Sequence, residues 1–175
     1  EDRWLWGDAI ALGGTWRASL SLRQPVGDAP PAHLRVRFLA GDASPEDSPD
    51  HRLRLRLDDQ VLGEARLDGP GGHLWHGVLP ASWLLGPDHV LEIANLGDAG
   101  RRTARVSVDW FELDYAAGYA ASGDRLDFRP PAAGRLAYRL TGFTTPDVVV
   151  LDVTDPESPV RLDGVEVRPE ADGTC

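Results

Sequence analysis

Apolar residues recur at every second position through much of this chain. Ala18, Leu20 and Leu22 alternate with Ser19, Ser21 and Arg23. Leu34, Val36 and Phe38 alternate with Arg35 and Arg37, and Leu53, Leu55 and Leu57 with Arg52, Arg54 and Arg56. Successive side chains of a strand point to opposite faces, so each segment has one apolar and one wet face. Antiparallel sheets with one solvated face produce this pattern, whereas buried parallel strands are apolar throughout. Residues 61–67 read as the hairpin partner of 52–57, joined through Asp58-Asp59-Gln60, and 73–79, 90–96 and 105–115 continue the series. Within the last of these, Val106, Val108 and Trp110 share one parity, and Phe111, Leu113 and Tyr115 take the other. That switch predicts a bulge near 110–111 or burial of both faces. Between strands, Pro80 to Gly86 suits one helical turn, opened by proline and closed by glycine.

About seven or eight short strands divided by turns predict an all-β fold, an antiparallel β-sandwich, over residues 1–115. No apolar 3.6-residue period is long enough for a substantial helix. After Tyr115 the texture changes. Residues 116–123 are small and connector-like, and strands are predicted at 125–128, 135–142, 148–153 and 160–167, with prolines between them. Residues 116–175 therefore read as a small β-rich extension or partial second β-domain, with a marginal core of its own.

Composition excludes several classes. No apolar run approaches the ~20 residues of a membrane helix. The lone cysteine, Cys175, rules out a disulfide scaffold. The basic residues are 18 arginines against 28 acids, for a net charge of −10. A phosphate backbone would be repelled, which argues against nucleic-acid binding. There is no methionine and no basic-then-apolar leader, so the chain reads as a fragment of something longer. Glycine-loop nucleotide motifs and G-x-S-x-G are absent.

One stretch resembles a known family. It runs Val106-Ser107-Val108-Asp109-Trp110-Phe111-Glu112-Leu113-Asp114-Tyr115, then Tyr119, then Gly123-Asp124-Arg125-Leu126-Asp127-Phe128. This is similar to a segment upstream of the protease domain in gingipain-like secreted cysteine peptidases. Leu140-Thr141-Gly142-Phe143, Val150-Leu151-Asp152-Val153-Thr154-Asp155-Pro156 and Leu79-Pro80-Ala81-Ser82-Trp83-Leu84 extend the likeness over roughly residues 50–162. The resemblance implies a non-catalytic jelly-roll of the galactose-binding-like kind, preceding a caspase-like domain in the same chain. It also implies secretion or a cell-surface location, with the downstream peptidase domain as partner. The peptidase centre does not carry over. His76-Gly77 is the only His-Gly pair, and Cys175 lies 99 residues beyond it with no apolar strand leading in. Thiolate–imidazole catalysis needs a scaffold that brings the two together.

Other chemistry is weighed residue by residue. His73 and His76, three apart on a strand, face opposite sides and diverge, which argues against zinc. Calcium is the metal for which the acid-rich stretch 42–50 offers oxygen ligands, although no EF-hand spacing is present and a solvated loop explains it as well. Trp75, His76 and Trp83 cluster as a candidate ligand-binding group, and Trp4 and Trp6 share a strand face, but core packing accounts for most of the tryptophans. Arg35, Arg37, Arg52, Arg54 and Arg56 all lie on wet faces. They form either an anion- or partner-docking face or one side of cross-strand salt bridges, with Glu64, Glu92 and Glu112 as the acids. The sequence thus supports an accessory domain without catalysis or a resident cofactor, docking a peptidase domain. A carbohydrate-binding module is the alternative.

Overall fold

The structure, a computed structural model, describes residues 7–41, 49–97, 105–129, 134, 136–168 and 175. Its residues fall into two compact units, Glu1–Ala117 and Gly118–Cys175.

In the first unit the strands are β1 (Thr15–Ser21), β2 (Ala32–Ala40), β3 (His51–Leu57), β4 (Gln60–Leu67), β5 (Gly71–Leu79), β6 (Asp88–Asn95) and β7 (Val106–Asp114). They form two antiparallel sheets, ordered β1-β6-β3-β4 and β5-β2-β7. Only β3 and β4 are joined as a hairpin within one sheet. Every other connection crosses between sheets, so the pairings are mostly remote in sequence. The predicted helical turn is a 3-10 turn at Ala81–Leu84, which buries Ala81 and Leu84.

The alternation read from the sequence is the alternation of burial. On β2, Leu34, Val36 and Phe38 are buried, and on β3, Leu53, Leu55 and Leu57. These side chains join Leu91, Ile93, Val106 and Val108 in one core shared by both sheets. Trp16 from β1 meets Phe111 from β7 edge-on, with centroids 6.0 Å apart, and so ties the sheets together across that core.

Two bulges set the facing of the remaining residues. In β4 the register slips opposite Leu55 and Arg56, leaving Leu62 as the extra residue. In β7, Phe38 pairs with Val108 but Arg37 pairs with Trp110, so Asp109 is the extra residue. The bulge expected near 110–111 thus falls one residue earlier. Phe111 and Leu113 then lie opposite Val36 and Leu34 and join the core side.

The second unit differs from expectation. Of its four predicted strands only β8 (Val150–Asp152) and β9 (Val160–Leu162) form, as an antiparallel pair. Residues 125–128 and 136–142 make isolated bridges, Ser122 with Arg125 and Ala120 with Thr141, and Arg135 lies outside the described residues. Alternation alone does not make a strand; a segment also needs ladder partners and a face to bury against. Here Tyr119, Phe128 and Tyr138 gather in a triangle with centroids 5.0–5.4 Å apart. Among the described residues of this unit the buried hydrophobic one is Phe143, its backbone paired with that of Cys175.

Burial separates the consequences of truncation. Leu55→Ala, in the fully enclosed core, is expected to cost about 2–5 kcal/mol. Leu151→Ala, half exposed on β8, should change stability by less than ~0.5 kcal/mol. Urea denaturation of the two variants measures the contrast.

Candidate functional site

The two outer faces carry different chemistry. On the four-stranded sheet every predicted acid is used to neutralise arginine. Arg17 donates to Glu92 from Nε (2.9 Å) and Nη2 (2.7 Å). Arg52 and Arg54 both donate to Glu64, at 2.9–3.1 Å. These hydrogen bonds, from Arg52 first and then Arg54, hold the Glu64 carboxyl below its ordinary range. Arg52 lies directly opposite Arg66, a repulsive pairing that its lean towards Glu64 relieves. Arg56 lies opposite Glu92 and donates to the Asp59 carbonyl at 3.3 Å.

The outer face of β5-β2-β7 is paired differently, although among the described residues each face encloses one arginine Nε without a partner, Arg35 here and Arg56 on the four-stranded sheet. Its registers run Val78–His33–Asp114, His76–Arg35–Glu112 and Leu74–Arg37–Trp110. Strands about 4.8 Å apart make each row ~10 Å wide. Arg35 Nη2 contacts Glu112 at 2.7 Å and Asp114 at 3.3 Å, while Arg35 Nε is enclosed without a partner. Arg37 Nε contacts Asp109 at 3.2 Å. Its guanidinium lies over Gly72, where a Cβ would come within 3.2 Å of Nη2. Among the described residues, the Arg37 Nη groups, the Trp110 indole N–H and the rings of His33 and His76 have no hydrogen-bond partner. The β7 bulge is what puts Trp110 here. A regular strand would leave it on the core side with Val106 and Val108. Trp16, Trp75 and Trp83 pack against the core, and Trp110 does not.

The residues singled out from the sequence are not gathered in one place. Trp75 faces inward and its ring lies across Gly77, at the position a Cβ would take, and a Cβ on Gly63 of β4 would meet the same ring at 3.5 Å. Trp83 packs on the core from the 3-10 turn. His76 points outward from β5, opposite Arg35. The five arginines divide between two sheets: Arg35 and Arg37 on one, Arg52, Arg54 and Arg56 on the other. Trp4, Trp6 and residues 42–48 of the acid-rich stretch lie outside the described residues. Asp50, at its end, is buried and accepts a hydrogen bond from the Gly69 amide at 2.7 Å, which anchors the β4–β5 turn. His73 faces the opposite side from His76, its Nε2 3.2 Å from the Gly69 carbonyl. Among the described residues no three His, Cys, Asp or Glu side chains converge as a metal site, and no helix is long and apolar enough to cross a membrane. Trp110 was missed as a candidate, although the parity switch beside it was the available signal.

A titratable pair of buried His89 and exposed Asp58 is structural. His89 Nδ1 lies 2.8 Å from Asp58 Oδ2, and Nε2 lies 3.3 and 3.2 Å from the carbonyls of Leu84 and Gly86. The ring therefore ties the β3–β4 turn to the segment before β6. Burial opposes ionisation of Asp58, but hydrogen bonds from His89 and the Val90 amide outweigh it and hold the carboxyl below 3.8.

No protein-family model matches the chain, and no curated protein matches it. Similar solved structures include a family GH115 4-O-methyl-alpha-glucuronidase with specificity for decorated arabinogalactans. It shows 17% identity over 62% of this chain, with a TM-score of 0.44. The chain spans only 14% of that enzyme's length. A CBM36 carbohydrate-binding module in complex with calcium and xylotriose shows 15% identity, with 59% of this chain and 78% of the module covered and a TM-score of 0.40. The CBM36-1 domain of a multidomain xylanase from the hindgut metagenome of Trinervitermes trinervoides shows 14% identity, 61% and 77% coverage, and a TM-score of 0.41. None of these three is a peptidase, so they lend no support to the peptidase link that the sequence resemblance implied.

Because the Asp58 carboxyl is lowered in the folded state, its contribution is present above the ordinary aspartate range and is lost as pH falls through the lowered value. The melting-temperature difference between the native chain and Asp58→Asn should therefore shrink on acidification. A difference that stays constant from neutral to strongly acid pH would contradict this assignment.

Proposed function

We propose that the first unit is a carbohydrate-binding β-sandwich domain, and that the outer face of β5-β2-β7 holds the glycan. The observation that carries this reading is the bulge at Asp109, which turns Trp110 outward beside Arg37. A pyranose ring has one apolar C–H face and a rim of hydroxyls. An indole supplies a broad flat surface for the first, and tryptophan keeps a polar N–H at its edge. Arginine, histidine and carboxylate supply donors and acceptors for the second. A few convergent polar groups beside an aromatic surface suit a small-ligand site. The domain would act by holding its parent protein on a polysaccharide, without catalysis of its own and outside the cell.

Leu74 and Val78, more than half exposed on the same face, favour a second reading in which a neighbouring protein domain docks there. Aromatic and arginine side chains are the usual anchors of such surfaces. Calcium in the 42–50 stretch is a separate proposal, read out as a rise in melting temperature at millimolar calcium.

Trp110→Ala should weaken glycan binding about tenfold or more, equivalent to ~1.4 kcal/mol, with a smaller fall in melting temperature than Trp75→Ala causes, since Trp110 is half-buried but off the shared core. Trp75→Ala should do the reverse, costing about 3 kcal/mol of stability while the folded fraction still binds. Calorimetric titration and thermal melting of both variants separate the roles. Glycan binding that is indifferent to Trp110 would remove this face as the site.

A further inference from the structure

We infer that the ligand of the β5-β2-β7 face is a neutral glycan and that the face rejects uronate- or sulfate-bearing ones. This rests on the carbohydrate-binding reading and adds the ligand class to it. The ionised side chains on the face are Arg35 and Arg37 against Asp109, Glu112 and Asp114. Three carboxylates meet two guanidiniums, so the two arginines leave no net positive charge to attract an anion. The chain as a whole, at −10, adds repulsion.

The hydrogen-bonding capacity left over is of both kinds. Donors remain on the Arg37 Nη groups and the Trp110 indole, and the carboxylates of Asp109, Glu112 and Asp114 supply acceptor oxygens beside them. A sugar hydroxyl both donates and accepts, and can use donors and acceptors that lie side by side. A carboxylate or sulfate only accepts. Placed on Arg37 it would compete with Asp109, and it would face Glu112 and Asp114 without a compensating charge. Gly72 sets the position of the reading group. With no Cβ, it lets the Arg37 guanidinium lie across the edge strand, and alanine there would crowd Nη2 and Nε at 3.2 and 3.4 Å.

The test is an array of neutral oligosaccharides beside otherwise similar ones carrying glucuronic acid, galacturonic acid or sulfate, followed by titration of the best ligands at low and physiological salt. The native chain should prefer neutral ligands by about tenfold or more, with affinity nearly independent of salt. Removing two charges with Glu112→Gln and Asp114→Asn should let uronate-bearing ligands bind, with an affinity that falls as salt rises. Gly72→Ala should weaken binding of the neutral ligand severalfold at an unchanged melting temperature. Tighter, salt-sensitive binding of uronates by the native chain would overturn the inference and leave the carbohydrate-binding reading standing. No binding to any glycan, neutral or anionic, would overturn both.

Discussion

Burying every second side chain between two sheets forces the others outward, and in this chain many of those others are arginine. The hydrophobic side of that bargain is the shared core around Val36, Phe38, Leu53, Leu55, Leu91 and Ile93. The electrostatic side is less forgiving. Arg52, Arg54 and Arg56 project from one strand, and Arg35 and Arg37 from another. Like charges aligned along a sheet repel unless acids are interleaved. The strand order supplies those acids: β6 brings Glu92 between Arg17 and Arg56, β4 brings Glu64 to Arg52 and Arg54, and β7 brings Glu112 to Arg35. Each exposed pair contributes little. Together they make this strand order compatible with an arginine-rich exterior.

That compensation was legible in the sequence, because it follows from a period of two and the need for opposite charge. The strands of the first unit, the β3–β4 hairpin and the three acids all follow from the same rule. The placement of the bulge does not. Parity shows that β7 must change face between Val108 and Phe111, but Asp109 and Trp110 could each be the extra residue. The register with Arg37 and Phe38 decides it, and β2 lies about 70 residues earlier in the chain. The parity switch marked the neighbourhood, but which residue it turns to the outer side of the sheet was out of reach of local pattern. Trp75 shows the converse. Its closeness in sequence to His76 and Trp83 suggested a ligand cluster, but glycines at 63 and 77 leave room for the indole inside the sandwich.

The second unit marks where alternation stops being informative. Leu136, Tyr138 and Leu140 alternate as cleanly as residues of β3, yet they form no strand. Leu53, Leu55 and Leu57 have ladder partners on both sides, in β4 and β6. The segment around Tyr138 has an isolated bridge and two aromatic neighbours. A periodic sequence specifies which face would be buried; whether it is buried depends on having something to lie against. In the apolar run from Val148 to Leu151, Val149 and Leu151 are exposed for the same reason.

The contrast between the two outer faces then bears on function. On the four-stranded sheet, Glu64 takes up two arginines and Glu92 a third. On β5-β2-β7 the same pairing is incomplete: Arg37 is held from one edge only, by Asp109, and its other edge lies over a glycine. The residue that holds it is the bulged one, and the bulge is also what turns the indole outward. A single inserted residue thus places an aromatic surface, a carboxylate and a partly free guanidinium at one point of the sheet. Stability does not require that combination, since a regular β7 would keep Trp110 on the core side with Val106 and Val108. The bulge thus leaves Trp110 half-buried and off the shared core, beside Arg37 and Asp109, and the proposed glycan site rests on that combination.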